Sequence, residues 1–219
     1  MSASEIISAN DEDAHDAKHA AIVEAAQAVF LAKGFAGASM DEIASEAQVS
    51  KRTVYNRFAS KDALFGAVIV ASCERLMSIL DAHFTTERPL RDELIDTATQ
   101  FLREVTSTES IALRRITAFE SMRFPELGVA YLENGMYRLV DALEPHMREL
   151  VERGVLAIED FPRAIKQLGA LVSEPLETKL AMGVQYEDLE AEIEEQARTG
   201  VEAFLKIYAV PGAPNTGCA

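Results

Sequence analysis

The sequence predicts an all-α protein. Its 219 residues hold only 11 Gly and 7 Pro, so helix breakers are scarce. Ala, Leu and Glu abound while β-branched runs are few, which favours helix throughout. Ser, Asp or Pro recurs at helix-opening positions, each ahead of apolar residues at three- and four-residue spacing. No segment alternates convincingly at period two, and neither an internal repeat nor a low-complexity tract stands out. About nine helices are expected.

The elements follow in order. Residues 1–16 are polar and acidic and read as a disordered arm. Ile22, Ala26, Val29, Phe30 and Lys33 then mark a helix, with Gly34 as its stop. Ser39-Met40-Asp41-Glu42 is a capping box, opening a short helix that turns Ile43, Ala44 and Ala47 inward and breaks at Gln48-Val49. Ser50 caps a helix from Lys51 to Phe58, and Ser60 caps a long one from Lys61 to about His83. Pro89 suits the first turn of a helix to about Thr106. Further helices are expected over about 110–124, from Pro125 to about Gly154, from Asp160 to about Gly183, and from about Tyr186 to Tyr208. Pro175 should kink the second last of these. The Pro/Gly-rich tail, 211–219, reads as disordered.

Composition narrows the class. Hydrophobic residues make up 48% and charged residues 26%, ordinary for a globular chain. No run of about 18 uncharged apolar residues marks a membrane span, and the acidic start is not a secretory signal. Cys73 and Cys218 are far apart, which argues against a disulfide scaffold and fits a cytoplasmic setting. The net charge is −15, which taken alone speaks against nucleic acid. The charge is uneven, however. Over 17–65, Lys18, Lys33, Lys51, Arg52, Arg57 and Lys61 slightly outnumber Glu24, Asp41, Glu42, Glu46 and Asp62. The acidity belongs mainly to 66–219.

The informative stretch is Ser39 to Leu64: helix, tight turn, short helix, the grammar of a helix-turn-helix. In the short second helix Val54 and Phe58 must face the core, so Lys51, Arg52, Tyr55 and Asn56 fall on the other side. Such a face suits a major groove, with Lys and Tyr meeting phosphates and Arg or Asn meeting base edges. Ser60-Lys61 places a cap and a cation at a further helix N-terminus. The competing reading is a solvated face.

These residues carry a resemblance. Ile22 to Ala26, Phe30, Lys33-Gly34-Phe35, Ser39 to Ala44, Val49 to Phe58 and Lys61 to Leu64 resemble the N-terminal domain of the tetracycline-repressor (TetR) family. Phe119 to Leu127 looks like the multidrug-regulator-like branch. The resemblance implies a helix-turn-helix DNA-binding domain over 17–65 and an effector-binding and dimerisation domain over 66–210. It implies a dimer that binds double-stranded, palindromic operator DNA, most often as a repressor, and that a small effector releases. Ser39, Thr53, Tyr55 and Lys61 match phosphate-contacting positions, and Lys51, Arg52 and Asn56 lie where bases would be read. Ser50, at the N-cap, is counted with them. Lys18 and His19 are candidates for a further phosphate contact. The acidic arm departs from members with basic arms.

In the body, Phe101, Arg115, Phe119, Met122, Arg123, Tyr131, Met136 and Tyr137 are the candidates for an apolar or amphipathic effector, with the arginines as polar anchors. Their alternatives are core packing and surface ion pairs. The last two helices carry apolar residues on more than one stripe and are expected to pair two subunits in a four-helix bundle. His15 and His19 stand i,i+4 beside Asp16, a spacing that can bind a metal, but lack a further ligand, so neither metal nor cofactor is expected. No phosphate loop, CxxC, nucleophile elbow or HExxH occurs, so an enzyme is not expected. The rival class is a helical enzyme or binding protein without operator binding, and the intact outward face from Lys51 to Asn56 separates the two.

Overall fold

The structure is a computed structural model that describes residues 3–83 and 88–213, with side chains described for 17–77 and 88–213. Among the described residues eleven α-helices run in chain order: α1 (Ala3–Gly37), α2 (Met40–Glu46), α3 (Lys51–Arg57), α4 (Lys61–His83), α5 (Leu90–Val105), α6 (Thr108–Glu120), α7 (Pro125–Leu132), α8 (Arg138–Glu152), α9 (Phe161–Ser173), α10 (Leu176–Ala181) and α11 (Leu189–Tyr208). The chain is all-α, with a single isolated β-bridge, Leu156 to Ala209, among the described residues.

Three boundaries differ from the sequence reading. Backbone is helical from Ala3, so the expected arm over 1–16 is helix in its described part; that stretch holds neither Gly nor Pro to stop a helix. The helix expected over 125–154 is divided by a π-helical turn at Glu133–Tyr137. The helix expected over 160–183 breaks outright at Glu174-Pro175, where a kink was expected. Glu174 is extended (φ −94°, ψ 143°), as the residue before a proline prefers, and Pro175 has no N–H to continue the ladder. These two divisions raise the helix count from nine to eleven. The tail expected over 211–219 lies outside the described residues from 214 onward.

The chain forms two compact units: 1–71 with 116–131, and 72–115 with 132–219. The first therefore recruits a segment that the sequence reading assigned to the body. Its core is aromatic. Phe30, Phe35 and Phe65 meet with ring centroids 5.2–5.7 Å apart, and Phe124 adds an edge-on contact to Phe35 at 5.2 Å. Residues 17–37 of α1 are long and apolar enough to cross a membrane by length and composition alone. Ile22, Ala26 and Phe30 of that stretch are fully buried in this core.

The second unit packs α5, α8, α9 and α11 around Leu94, Leu102, Met147, Ile165, Val201 and Phe204. Gly200 lets α11 reach α9: a Cβ there would stand 2.4 Å from the Leu171 carbonyl oxygen. The amide of Ala157 donates to Tyr208 O and that of Val210 to Val155 O, tying the segment after α8 to the end of α11.

Candidate nucleic-acid interface

The helix-turn-helix is set by local hydrogen bonds. Gly34 interrupts α1 with φ 71° and ψ 170°, the left-handed conformation that glycine takes most easily. Ser39 caps α2 and the Glu42 carboxylate returns to the Ser39 amide, completing both halves of the capping box. The turn closes with a Schellman pair: Val49 N–H donates to Ala44 O at 3.0 Å and Gln48 N–H to Ser45 O at 3.1 Å. Gln48 takes the left-handed residue of that motif at φ 54°. Ser50 then caps α3, its Oγ accepting from Thr53 N–H at 3.1 Å.

Val54 and Phe58 are buried, which turns the opposite side of α3 outward. Lys51, Arg52, Tyr55 and Asn56 are exposed there, Tyr55 to 54%. Arg52 and Asn56 are i,i+4 neighbours directly opposite the core stripe and can reach base edges together. Tyr55 and Lys51, also i,i+4 neighbours, lie beside them on one side of the helix.

The other candidates have internal duties. Ser39, Ser50 and Thr53 are engaged in the two caps. Lys51 pairs with Asp41. Lys61, only half exposed, donates through Nζ to Phe35 O at 2.6 Å and Ala38 O at 2.9 Å, and lies 4.5 Å from the Phe35 ring centroid. It holds the end of α1 in place, a role that sequence spacing did not show. The His19 ring lies 4.9 Å from that of Phe58, tilted by 36°, while Lys18 is exposed.

The effector candidates divide between the two units. Phe119 and Met122 are 75% and 88% exposed. In the same unit Arg123 lies over the Phe124 ring at 5.2 Å, and Tyr131 is half-buried. The reason is helical facing: Thr117, Glu120 and Leu127 point inward and carry Phe119 and Met122 out. In the second unit Arg115 donates from Nε to Ala181 O at 2.7 Å and from Nη2 to Leu180 O at 2.5 Å, capping the end of α10. Met136 and Tyr137 lie about half exposed in the π turn. Phe101 alone of the eight lines a cleft of about 40 Å³ formed by α5, α8 and α9, with Leu94, Thr97, Ala98, Leu143, Leu168 and Gly169 among its other walls. The sequence candidates were chosen for size and so do not include the small cleft-lining residues Ala98 and Gly169. A glycine inside a strongly amphipathic helix was the available signal.

A helix-turn-helix with a cationic and polar outward face, in a wholly helical chain, defines a DNA-binding transcriptional regulator. Comparison with known proteins agrees. Residues 22–68 match the model for bacterial regulatory proteins of the tetR family, and residues 92–210 match that for the C-terminal domain of AefR-like transcriptional repressors. The chain belongs to the tetR family. A TetR-family regulator from Mesorhizobium loti is 30% identical, with 90% of this chain and 98% of that one aligned at a TM-score of 0.80. The flavonoid-responsive regulator FrrA is 34% identical over 90% of this chain and 100% of its own, at a TM-score of 0.71. The regulator UidR of Escherichia coli K12 is 26% identical over 141 residues, 62% of this chain and 67% of that one. The family and these relatives are regulators, not enzymes.

Proposed function

We propose that this regulator is a repressor that binds a palindromic operator as a dimer and is released by a small apolar effector. The outward face of α3 carries the reading, since its Arg52, Tyr55 and Asn56 face solvent rather than the core. The likeness of residues 92–210 to a repressor domain supports the sign of regulation. The apolar cleft, and the likeness to a flavonoid-responsive regulator, support an uncharged and often aromatic effector.

Two recognition helices must stand about one helical turn of DNA apart, roughly 34–36 Å. A dimer sets that distance, and α9 and α11 are the proposed pairing helices. Ile165, Leu168, Val172, Ile193, Val201 and Phe204 are already buried within the subunit, whereas Ile207 is exposed and Leu171, Leu189 and Tyr208 are half-buried. The proposed pairing surface is built from these uncovered apolar residues and the smaller and polar ones beside them. An effector that prefers another spacing weakens DNA binding by the same factor by which DNA weakens the effector. The continuous helix α4 is the proposed lever.

The test is selection of bound duplexes from a random DNA pool, matching to inverted repeats in the genome, and a compound screen scored by DNA release. An inverted repeat whose complex dissociates on effector addition, with transcription rising, is the expected result. Compounds that bind without altering DNA affinity would refute the switch. Transcription falling on release would identify an activator.

A further inference from the structure

We propose that Gly169 is the specificity-determining position of the effector cleft, and that the cleft takes an uncharged apolar group packed directly on the α9 backbone there. This rests on the effector-responsive reading above and names the ligand chemistry of that site.

The walls of the cleft are Leu94, Ala98, Phe101, Leu143, Leu168 and their neighbours, with Thr97 as the polar exception. Thr97 is buried and its hydroxyl donates to Glu93 O at 2.8 Å, so its proton is already engaged. Among the described residues no charged side chain lines the cleft. An anionic or cationic group entering it would lose its water without gaining a partner, which is strongly unfavourable. The buried part of the ligand is therefore uncharged and apolar.

Gly169 locates the contact. It lies inside α9, in ordinary helical backbone, where glycine is disfavoured relative to alanine. Nothing internal requires it: a Cβ built there meets nothing within 4 Å among the described residues. Gly200 shows the contrast, because a Cβ there would collide with the backbone of Leu171 and Val172. Helix crossing explains one glycine. The other leaves bare backbone and open space in the wall of an apolar cleft. A glycine at such a place allows close approach of a ligand to the backbone. The flat face of an aromatic ring and an aliphatic chain share the required chemistry.

The test uses the full chain, with flavone and 1-decanol as uncharged probes and decanoate as the anionic control. Binding is read by calorimetry and thermal shift for wild type, Gly169→Ala and Gly169→Leu. At least one uncharged probe should bind wild type at least tenfold more tightly than decanoate, and which of the two binds identifies ring or chain. Gly169→Ala should raise the melting temperature without ligand. Gly169→Leu should stay folded and bind that probe at least tenfold more weakly. If Gly169→Leu destabilises the fold, loss of affinity in the stable Gly169→Ala decides instead. Wild-type affinity in both variants, no binding of either uncharged probe, or equal binding of decanoate would overturn the proposal. So would conversion of a dimer to a monomer by Gly169→Leu in sedimentation, which would assign the space to a second copy. DNA release is scored separately. Effector-driven DNA release that Gly169→Leu leaves unchanged overturns this inference alone, whereas probe binding that depends on Gly169 without DNA release overturns the switch alone.

Discussion

The buried carboxylate of Glu120 accepts a hydrogen bond from the backbone amide of Ala36 at 2.9 Å, across 84 positions of sequence. Together with the edge-on contact between Phe124 and Phe35, it fastens the end of α6 and the residues just after it to the last turn of α1. Replacing Glu120 by Ala leaves that amide without its charged acceptor and should cost roughly 1–3 kcal/mol. Glu120→Gln keeps an acceptor oxygen and should cost less. Thermal melts of the two variants check the order, and equal losses would show that packing matters here rather than the hydrogen bond.

Arg52 and Lys61 should separate in mutagenesis. Arg52→Ala should leave the melting temperature unchanged while lowering operator affinity by about 1–3 kcal/mol and relaxing base preference. Tyr55→Phe should weaken binding without changing the preferred sequence. Lys61→Ala should lower the melting temperature, because it releases Phe35 O and Ala38 O, and should weaken DNA binding in parallel. Binding to a panel of point-mutated operators, beside the melts, distinguishes the cases. Unchanged operator affinity in the Arg52→Ala/Tyr55→Phe double variant would move the DNA surface elsewhere.

Lys51 pairs with Asp41 in the free protein, so any contact of Lys51 with DNA under the proposed function must compete with that carboxylate. Asp41→Asn should therefore tighten DNA binding and steepen its salt dependence. Each neutralised phosphate adds about −0.9 to the log–log slope. The wild-type complex should already weaken steeply with salt, because the rest of the chain is acidic and contributes no attraction. A flat salt titration would contradict this.

Gly200→Ala should destabilise by about 1–3 kcal/mol, despite the helix preference for alanine, because the new methyl meets backbone rather than a movable side chain. Chemical denaturation measures it. A neutral result would mean that α9 and α11 separate easily.

Glu177 sets a pH dependence. Burial pushes its carboxyl above the ordinary glutamate range, and the pull of the Arg114 guanidinium does not cancel that. A raised pKa in the folded state means that folding favours the protonated form. The stability gained from protonation is complete below the unfolded pKa and is lost as pH rises through the folded one. Glu177→Gln mimics the protonated side chain. It should match wild type in acid and become relatively more stable as pH rises to neutrality. Melting temperatures from pH 4 to 8 test this, and a constant difference would refute it.

The capping serines, Gly34 and the inward pair Val54 and Phe58 were legible in the sequence because each acts over three or four residues. Local hydrogen bonds and helical periodicity determine such features, and with them the short helix that presents Arg52, Tyr55 and Asn56. Tertiary structure decided what depends on partners far along the chain. Lys61 became a clamp because two carbonyls more than twenty residues away stand within its reach. Arg115 was spent on the carbonyls that end α10. Phe119 and Met122 turned outward because burial of Glu120 and Leu127 set the facing of their segment. Size and apolarity make a side chain suitable for a core or a pocket, but only the packing of other elements settles which face of its helix is covered.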